Sequence, residues 1–203
     1  MANIIGPRGL VPSRYLNGAA WNGSFNTYVI PSTDGSVFSV GDAVKTAANG
    51  DANGLPAVAK AAAGDSIRGV IVGVQLSMPN NPSLVGTVLD NSIQNIPATK
   101  AKDYYVMVVD DPMVLFEIQD DGVTAANCVA TSCNKNANIV VTNPTAPQQN
   151  SATTLNSNTI NTTQAFALRI MGLVQKPNNA YGAYASWLVK INQHELEGNT
   201  AGV

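Results

Sequence analysis

The only histidine of the 203-residue chain is His194, and a Ser-His-Asp triad or a histidine-based metal centre would have to be built around it. Histidine is the side chain whose ordinary pKa lies closest to neutrality, so general acid–base catalysis is the chemistry that it would supply. Its neighbours Gln193 and Glu195 are polar and lie near the C-terminus. We therefore expect His194 to lie on the surface.

Two adjacent carboxylates, Asp110 and Asp111, stand directly before Pro112. Together with Glu117 they could act as the acid and base of a glycosidase, which must lie several ångströms apart across a sugar. A polar turn, in which an aspartate accepts an Asx-type hydrogen bond before the proline, is the simpler interpretation. We predict the turn and no enzymatic activity.

Motifs for metal and nucleotide binding are incomplete. Asp120, Asp121 and Gly122 resemble the start of a calcium loop, but the alternating carboxylates and the closing glutamate are absent, so a hairpin turn is predicted. Cys128 and Cys133 are spaced for neither a zinc knuckle nor a redox pair, and two reduced thiols are predicted. No phosphate-binding glycine loop is present. The sequence thus predicts no catalytic residue, no metal and no cofactor.

Aromatic side chains could form a sugar-binding face, because flat rings stack on pyranose rings. Aromatic residues make up only 6% of the chain, so placement in a core or an interface is the better prediction for them. The candidates are Tyr104, Tyr105, Tyr181, Tyr184 and Trp187.

Short apolar runs separated by glycine, proline and asparagine indicate β-strands throughout the chain. Residues 57–65 could be helical by propensity, but glycine and proline crowd them on both sides, so a strand is predicted there too. Gly69 and Gly73 interrupt the clearest run and predict a bulge or a close backbone approach. The predicted strands are 25–30, 36–40, 42–47, 55–62, 67–77, 85–90, 103–109, 113–119, 165–175 and 186–195.

The fold class predicted from about eight to ten short strands, with no long amphipathic helix, is all-β: a jelly-roll-like sandwich or barrel. The runs on either side of Pro112 either pair as a hairpin or belong to different sheets. Residues 25–203 are expected to form a single β domain. Segments 78–100 and 124–163, which lack regular periodicity, are expected to be surface excursions.

Residues 1–24 are predicted to form an extended N-terminal arm. Pro7, Pro12 and several glycines interrupt any regular period, yet the apolar side chains are too many for a solvated tail. Such an arm should dock on the surface of another protein, and the alternative is that it packs on its own domain as a first edge strand. The side chains expected to dock are Ile4, Ile5, Arg8, Leu10, Val11, Arg14, Tyr15, Leu16 and Trp21.

The low charge content argues against nucleic acid as a partner, and the lack of a long apolar stretch argues against a membrane. Charged residues are only 12% of the chain, the formal net charge is -2, and the 11 basic residues form no cluster that could neutralise a run of phosphates. Nucleic acid is therefore not expected. The N-terminus lacks a signal-peptide core and no stretch has the length of a membrane span, so cytosolic synthesis without a membrane partner is predicted.

Four segments resemble head cement (decoration) proteins of tailed bacteriophages. They read NIIGPRGLVPSRYLNGAAWNGSFNTYVIP, VFSVGDAVK with AAAGDSIRGVIVGV, YYVMVVDDPMVLFEIQDDG, and LRIMGLVQKPNNAYGAYASWLVKINQHELEGNTAGV. The most specific pieces are VVDDP with the following FEIQ and DG, and the last strand pair with its Asn-Asn turn. Segments 78–100 and 124–163 diverge.

The resemblance implies a jelly-roll-like domain, without catalytic residues, that adds to the outer surface of a capsid as a symmetric oligomer. We expect a structural virion protein, assembled in the host cytoplasm, that binds the phage major capsid protein and cements neighbouring subunits. The arm residues named above are the candidate capsid-binding residues. A homodimer is favoured, because closed two-fold symmetry is the commonest arrangement. The alternative is a carbohydrate-binding β-sandwich of a phage tail or a host lectin.

Overall fold

The chain is all-β, as the apolar runs predict, in a computed structural model that describes residues 3–75 and 94–197. Within these ranges every predicted strand overlaps an observed one, and the predicted strand at 85–90 lies outside them. The observed strands are β1 Val11–Tyr15, β2 Asn26–Ile30, β3 Phe38–Ser39, β4 Ala43–Gly50, β5 Pro56–Lys60, β6 Gly69–Gln75, β7 Asn95–Ile96, β8 Tyr104–Val109, β9 Val114–Gln119, β10 Asn136–Ala137, β11 Ile139–Val140, β12 Thr154–Leu155, β13 Leu168–Leu173 and β14 Ser186–Ile191.

Helical structure in the described ranges is limited to short 3-10 turns at Ala125–Asn127, Ala130–Ser132 and Ser157–Thr159. No helix in this part of the chain is long and apolar enough to span a membrane.

Five strands close into a barrel in the order β2-β5-β4-β6-β8. The neighbours are antiparallel except β2 and β5, which run parallel. The predicted bulge in β6 is confirmed, because the register with β8 shifts between Ile71 and Gly73. Gly69 lies so close to β8 that an added Cβ would stand 2.4 Å from the carbonyl oxygen of Val109, so only glycine fits there.

The other main sheet is open and antiparallel, in the order β1-β9-β14-β13-β10. Alternate residues of β9, such as Phe116 and Ile118, point into a core that the sheet shares with outward-facing barrel residues such as Val70 and Val109. The barrel interior forms a second cluster around Phe38. The sheet therefore packs against the outside of the barrel.

The two runs around Pro112 belong to different sheets, which decides between the alternatives that the sequence leaves open. β8 lies in the barrel and β9 lies between β1 and β14 in the open sheet. Proline cannot donate a ladder hydrogen bond, and Pro112 lies within the short turn that redirects the chain from one sheet to the other, where the N–H of Val114 donates to the carbonyl oxygen of Asp111 at 3.1 Å. The jelly-roll order that the resemblance implies is not confirmed by this barrel-and-sheet arrangement.

The prediction that residues 124–163 form a surface excursion is wrong for much of the segment. Cys128, Ala137, Ile139 and Leu155 are buried in the core beneath the open sheet. The end of the 78–100 segment is likewise structural, because β7 pairs with β3 and Ile96 is buried in the barrel core. Small and neutral side chains in these segments fill space between the larger strands.

Part of the N-terminal arm belongs to the β domain. β1 pairs antiparallel with β9 as an edge strand of the open sheet, with a register shift between Pro12 and Arg14. Leu10, immediately before it, is only 1% exposed and lies in the shared core. The prediction that residues 1–24 stay outside the domain is therefore wrong for Leu10 to Tyr15, where the edge-strand alternative is observed.

Candidate functional site

The first described residues are held on one end of the open sheet by the side chain of Asn3. Its Nδ2 donates to the carbonyl oxygens of Ala180 and Ala183 at 2.9 and 2.8 Å, and its Oδ1 accepts from the backbone N–H of Ala180 at 2.9 Å. These partners lie in the turn between β13 and β14. Residue 3 is thus fixed to a loop in which the sequence indicates only a turn.

A second amide, that of Gln119 at the end of β9, fixes the next residues. Its Nε2 donates to the carbonyl oxygen of Ile4 at 2.8 Å, and its Oε1 accepts from the N–H of Gly6 at 2.9 Å. Sequence analysis missed Asn3 and Gln119, because a lone amide has no pattern that reveals a partner more than a hundred residues away. Their hydrogen bonds make the first residues an ordered part of the surface.

Large apolar side chains are exposed where this segment is fixed. Ile4 is 74% exposed, Ile5 is 63% exposed, and Tyr181 in the neighbouring turn is 48% exposed. Ile5 and Tyr181 line one shallow depression. We call Ile4, Ile5 and Tyr181 the terminal patch. Grouped apolar side chains that remain in solvent are typical of a surface that another protein covers.

A groove of about 300 Å³ runs beside the terminal patch. Arg8 and Lys176 supply positive charge to its lining, Glu117 supplies negative charge, and Gln119 and Tyr184 complete its polar walls. Arg8 and Lys176 are both exposed, and neither forms an ion pair with another described residue. The groove can therefore accept an anionic side chain of a partner.

The remaining predicted capsid-binding residues are divided between core and surface. Leu10 is buried and cannot contact a partner, so its assignment as a docking residue is wrong. Val11, Tyr15 and Trp21 are half-buried, and Tyr15 and Trp21 pack against the shared core. The exposed ones are Arg14 and Leu16; the backbone N–H of Leu16 donates to the carbonyl oxygen of Met113 at 2.7 Å.

The prediction that His194 lies on the surface is wrong, because its side chain is only 1% exposed. Nδ1 accepts from the N–H of Leu196 at 3.1 Å, while Nε2 is buried with no hydrogen-bond partner among the described residues. Burial lowers the pKa of His194, against the opposing influence of nearby carboxylates. Residue 194 is held against the barrel by hydrogen bonds of its neighbours with Ile67, which makes the ring part of the packing.

Asp110 is also part of the interior, whereas Asp111 forms the predicted turn. The Asp110 carboxylate accepts from Asn26 Nδ2 at 2.8 Å and from the hydroxyl of Tyr28 at 2.5 Å, and it lies 3.9 Å from Arg68 Nε. Burial, together with this carboxylate, raises the pKa of Tyr28 to about 12. Asp111 Oδ1 accepts from the N–H two residues on at 2.8 Å, so the Asx-type turn is confirmed.

The turn at Asp120 is not a hairpin, because β9 pairs with β1 and β14 rather than with the next strand. Asp120 is fully buried, and its Oδ1 accepts from the N–H groups of Gly122 and Tyr184 at 2.7 and 2.9 Å. Burial raises the pKa of Asp120, and burial beside this carboxylate raises the pKa of Cys128 to about 12. Both cysteines are free thiols.

The aromatic candidates do not share an exposed face. Trp187 is fully buried in the core of the open sheet, and Tyr105 is buried in the barrel wall, where its hydroxyl donates to Asp51 at 3.1 Å. Tyr181 lies near Trp187, with ring centroids 5.9 Å apart. The prediction of core and interface placement is confirmed for Trp187 and Tyr105.

Within residues 3–75 and 94–197, no three His, Cys, Asp or Glu side chains are grouped so that they could hold a metal ion. Comparison with known proteins gives no match to a family model, to a curated protein or to a solved structure.

Proposed function

We propose that this chain is a structural protein of a tailed-phage virion, which attaches to the outer surface of the head and cements neighbouring major capsid subunits. The observation that carries the proposal is the terminal patch. Ile4 and Ile5 are held in fixed positions by the Asn3 and Gln119 amides, yet they remain exposed. Ordering a segment costs free energy through lost conformational entropy, and the exposed isoleucines do not offset this cost by burial within the described structure. A partner that covers them would supply the missing burial.

The resemblance of the sequence to head cement proteins supports the same assignment. The specific motif that carries this resemblance lies in two sheets, with VVDDP at the end of β8 and FEIQ in β9. Gln119, the last residue of that motif strand, anchors the terminal segment. The symmetric homodimer, with an interface in the edge strands, remains a prediction that accompanies this proposal.

The proposal is tested with heads assembled without this protein, to which the purified chain is added. We expect the double variant I4D/I5D to bind such heads at least about tenfold more weakly, because each buried isoleucine contributes roughly 1.5–3 kcal/mol. F25D is the matched control, since Phe25 is also exposed but precedes the barrel strand β2. Failure of the unmodified chain to bind heads, or equal binding by I4D/I5D, would contradict the proposal.

A further inference from the structure

A row of cations crosses the face of the open sheet that points away from the barrel. Strand pairing places Arg14 of β1 opposite Leu115 of β9, Leu115 opposite Lys190 of β14, and Lys190 opposite Arg169 of β13. Residues directly opposite one another share a face, and Phe116, next to Leu115, points into the core. Arg14, Lys190 and Arg169 therefore form one row, which we call the cationic row.

Two of the three charges of this row, those of Arg14 and Arg169, are not neutralised within the described chain. Arg14 and Arg169 are exposed, and neither guanidinium has a hydrogen bond or ion pair with any residue that the structure describes. Lys190 alone is paired, with Glu197 at 2.6 Å. Like charges directly opposite on neighbouring strands destabilise a sheet, and Arg169 and Lys190 are such a pair, but Glu197 already offsets the charge of Lys190. Arg14 and Arg169 are therefore the two charges that an anionic partner would neutralise.

The cationic row is continuous with the groove beside the terminal patch. Glu117 and Gln119, which line that groove, lie on β9 on the same face as Leu115, and Arg8 and Lys176 stand on the groove walls. Five of the chain's 11 basic residues therefore border one face of a protein whose net charge is -2. The charge of this face is opposite in sign to that of the whole chain.

We propose that the outer face of the open sheet, from the terminal patch to the cationic row, docks on a carboxylate-rich surface of the capsid subunit. This inference rests on the proposed function and names the chemistry of its partner. The planar guanidinium of arginine matches a carboxylate with two parallel hydrogen bonds. The backbones at Arg14 and Arg169 lie three strand spacings apart, about 14 Å. The two arginines therefore favour a partner whose acidic groups have a similar separation.

An acidic protein surface fits this face better than nucleic acid does. Glu117 shares the face, and Glu197 pairs with Lys190, so acidic side chains stand among the cations. A nucleic-acid backbone carries phosphates at regular short intervals and is bound by cations that follow it without such interruption. A folded partner can place its carboxylates opposite Arg14 and Arg169 and away from these acidic side chains.

The test compares R169E with K102E for binding to heads assembled without the protein. Lys102 is exposed in the turn before β8, outside the open sheet, so both variants change the net charge equally. We expect R169E to bind heads about tenfold more weakly than the unmodified chain at low salt, and its binding should depend less on salt concentration. The double variant R14E/R169E should bind more weakly still. K102E should bind like the unmodified chain.

Thermal unfolding distinguishes lost docking from lost folding. R169E replaces a like-charge pair with an opposite-charge pair across β13 and β14, so its melting temperature should equal or exceed that of the unmodified chain. Weak binding by a variant of unchanged stability supports the inference. Equal binding by R169E, or equal loss in R169E and K102E, would overturn it while the proposed function stands. Tight binding of a short duplex DNA that R169E abolishes would assign the face to nucleic acid instead.

Discussion

Asp110 and His194, the residues whose types most suggest catalysis, lie close to one another in the interior. The Asp110 charge influences the protonation of His194, as do those of Arg68, Glu195 and Glu197. In the sequence both residues stand among polar neighbours, and that pattern indicates turns and surface. Burial was not predictable, because the hydrogen-bond partners of Asp110 lie on β2, more than eighty residues away in the sequence.

Replacement of Asp110 should destabilise the protein. In D110A the buried hydroxyl of Tyr28 loses its acceptor and the partly buried guanidinium of Arg68 loses its carboxylate partner, at a cost of about 1–3 kcal/mol in the free energy of unfolding. D111A is the matched control, since Asp111 is exposed and bonds only within its own turn, so it should cost at most about 1 kcal/mol. Urea denaturation measures both, and equal stabilities would show that the buried network contributes nothing.

The stability of the protein should fall as the pH drops below the ordinary histidine value. Burial lowers the pKa of His194 from 6.5, so the unfolded chain binds the proton more tightly than the folded one does. Stability is therefore complete above pH 6.5 and is lost progressively as the pH falls through that value. Unfolding at about pH 7.5 and about pH 5.5 measures this difference.

H194Q removes the titrating ring, and because no other histidine exists, the difference in stability between the two pH values should become much smaller. A pH dependence that is unchanged in H194Q would assign the effect to carboxylates.

At the scale of elements, the strands with clear apolar alternation were predictable, while β1 and the 124–163 segment were not. β1 contains Pro12 and a register shift, which break the period that indicates a strand. Buried apolar residues of the 124–163 segment, such as Ala137 and Leu155, are isolated among polar residues, and some of these polar residues bury their hydroxyls, as Ser157 does by donating to Asp121. Isolated apolar residues have no periodic signature, and the partner that satisfies Ser157 lies far away in the sequence.

The first residues and β1 should differ in what their removal does. Deletion of residues 2–6 removes Ile4 and Ile5 and leaves Leu10 and β1 in place, so the domain should stay soluble with nearly unchanged thermal unfolding. Deletion of residues 2–20 also removes the edge strand of the open sheet and opens a cavity at Leu10, so an insoluble or strongly destabilised product is expected. A stable product from the longer deletion would show that β1 is an accessory to the domain.

At the scale of the whole molecule, the barrel supports an open sheet whose outer face is directed away from it. The shared core contains residues of both parts, among them Val70 and Val109 of the barrel and Phe116 and Val189 of the sheet. The terminal patch, the groove and the cationic row lie on the sheet side, and β9 takes part in all three. Gln119 holds the segment that carries the patch, Glu117 lines the groove, and Leu115 lies in the row between Arg14 and Lys190. A rigid support of this kind presents one continuous surface to a partner.

The measurement that tests the central claim most directly is the stoichiometry of the chain in purified phage particles, determined by quantitative mass spectrometry against the major capsid protein. A cement protein occupies equivalent sites over the whole shell, so we predict a copy number comparable with that of the major capsid protein in a fixed ratio. Absence from the particle, or only the few copies expected of a tail component, would contradict the account.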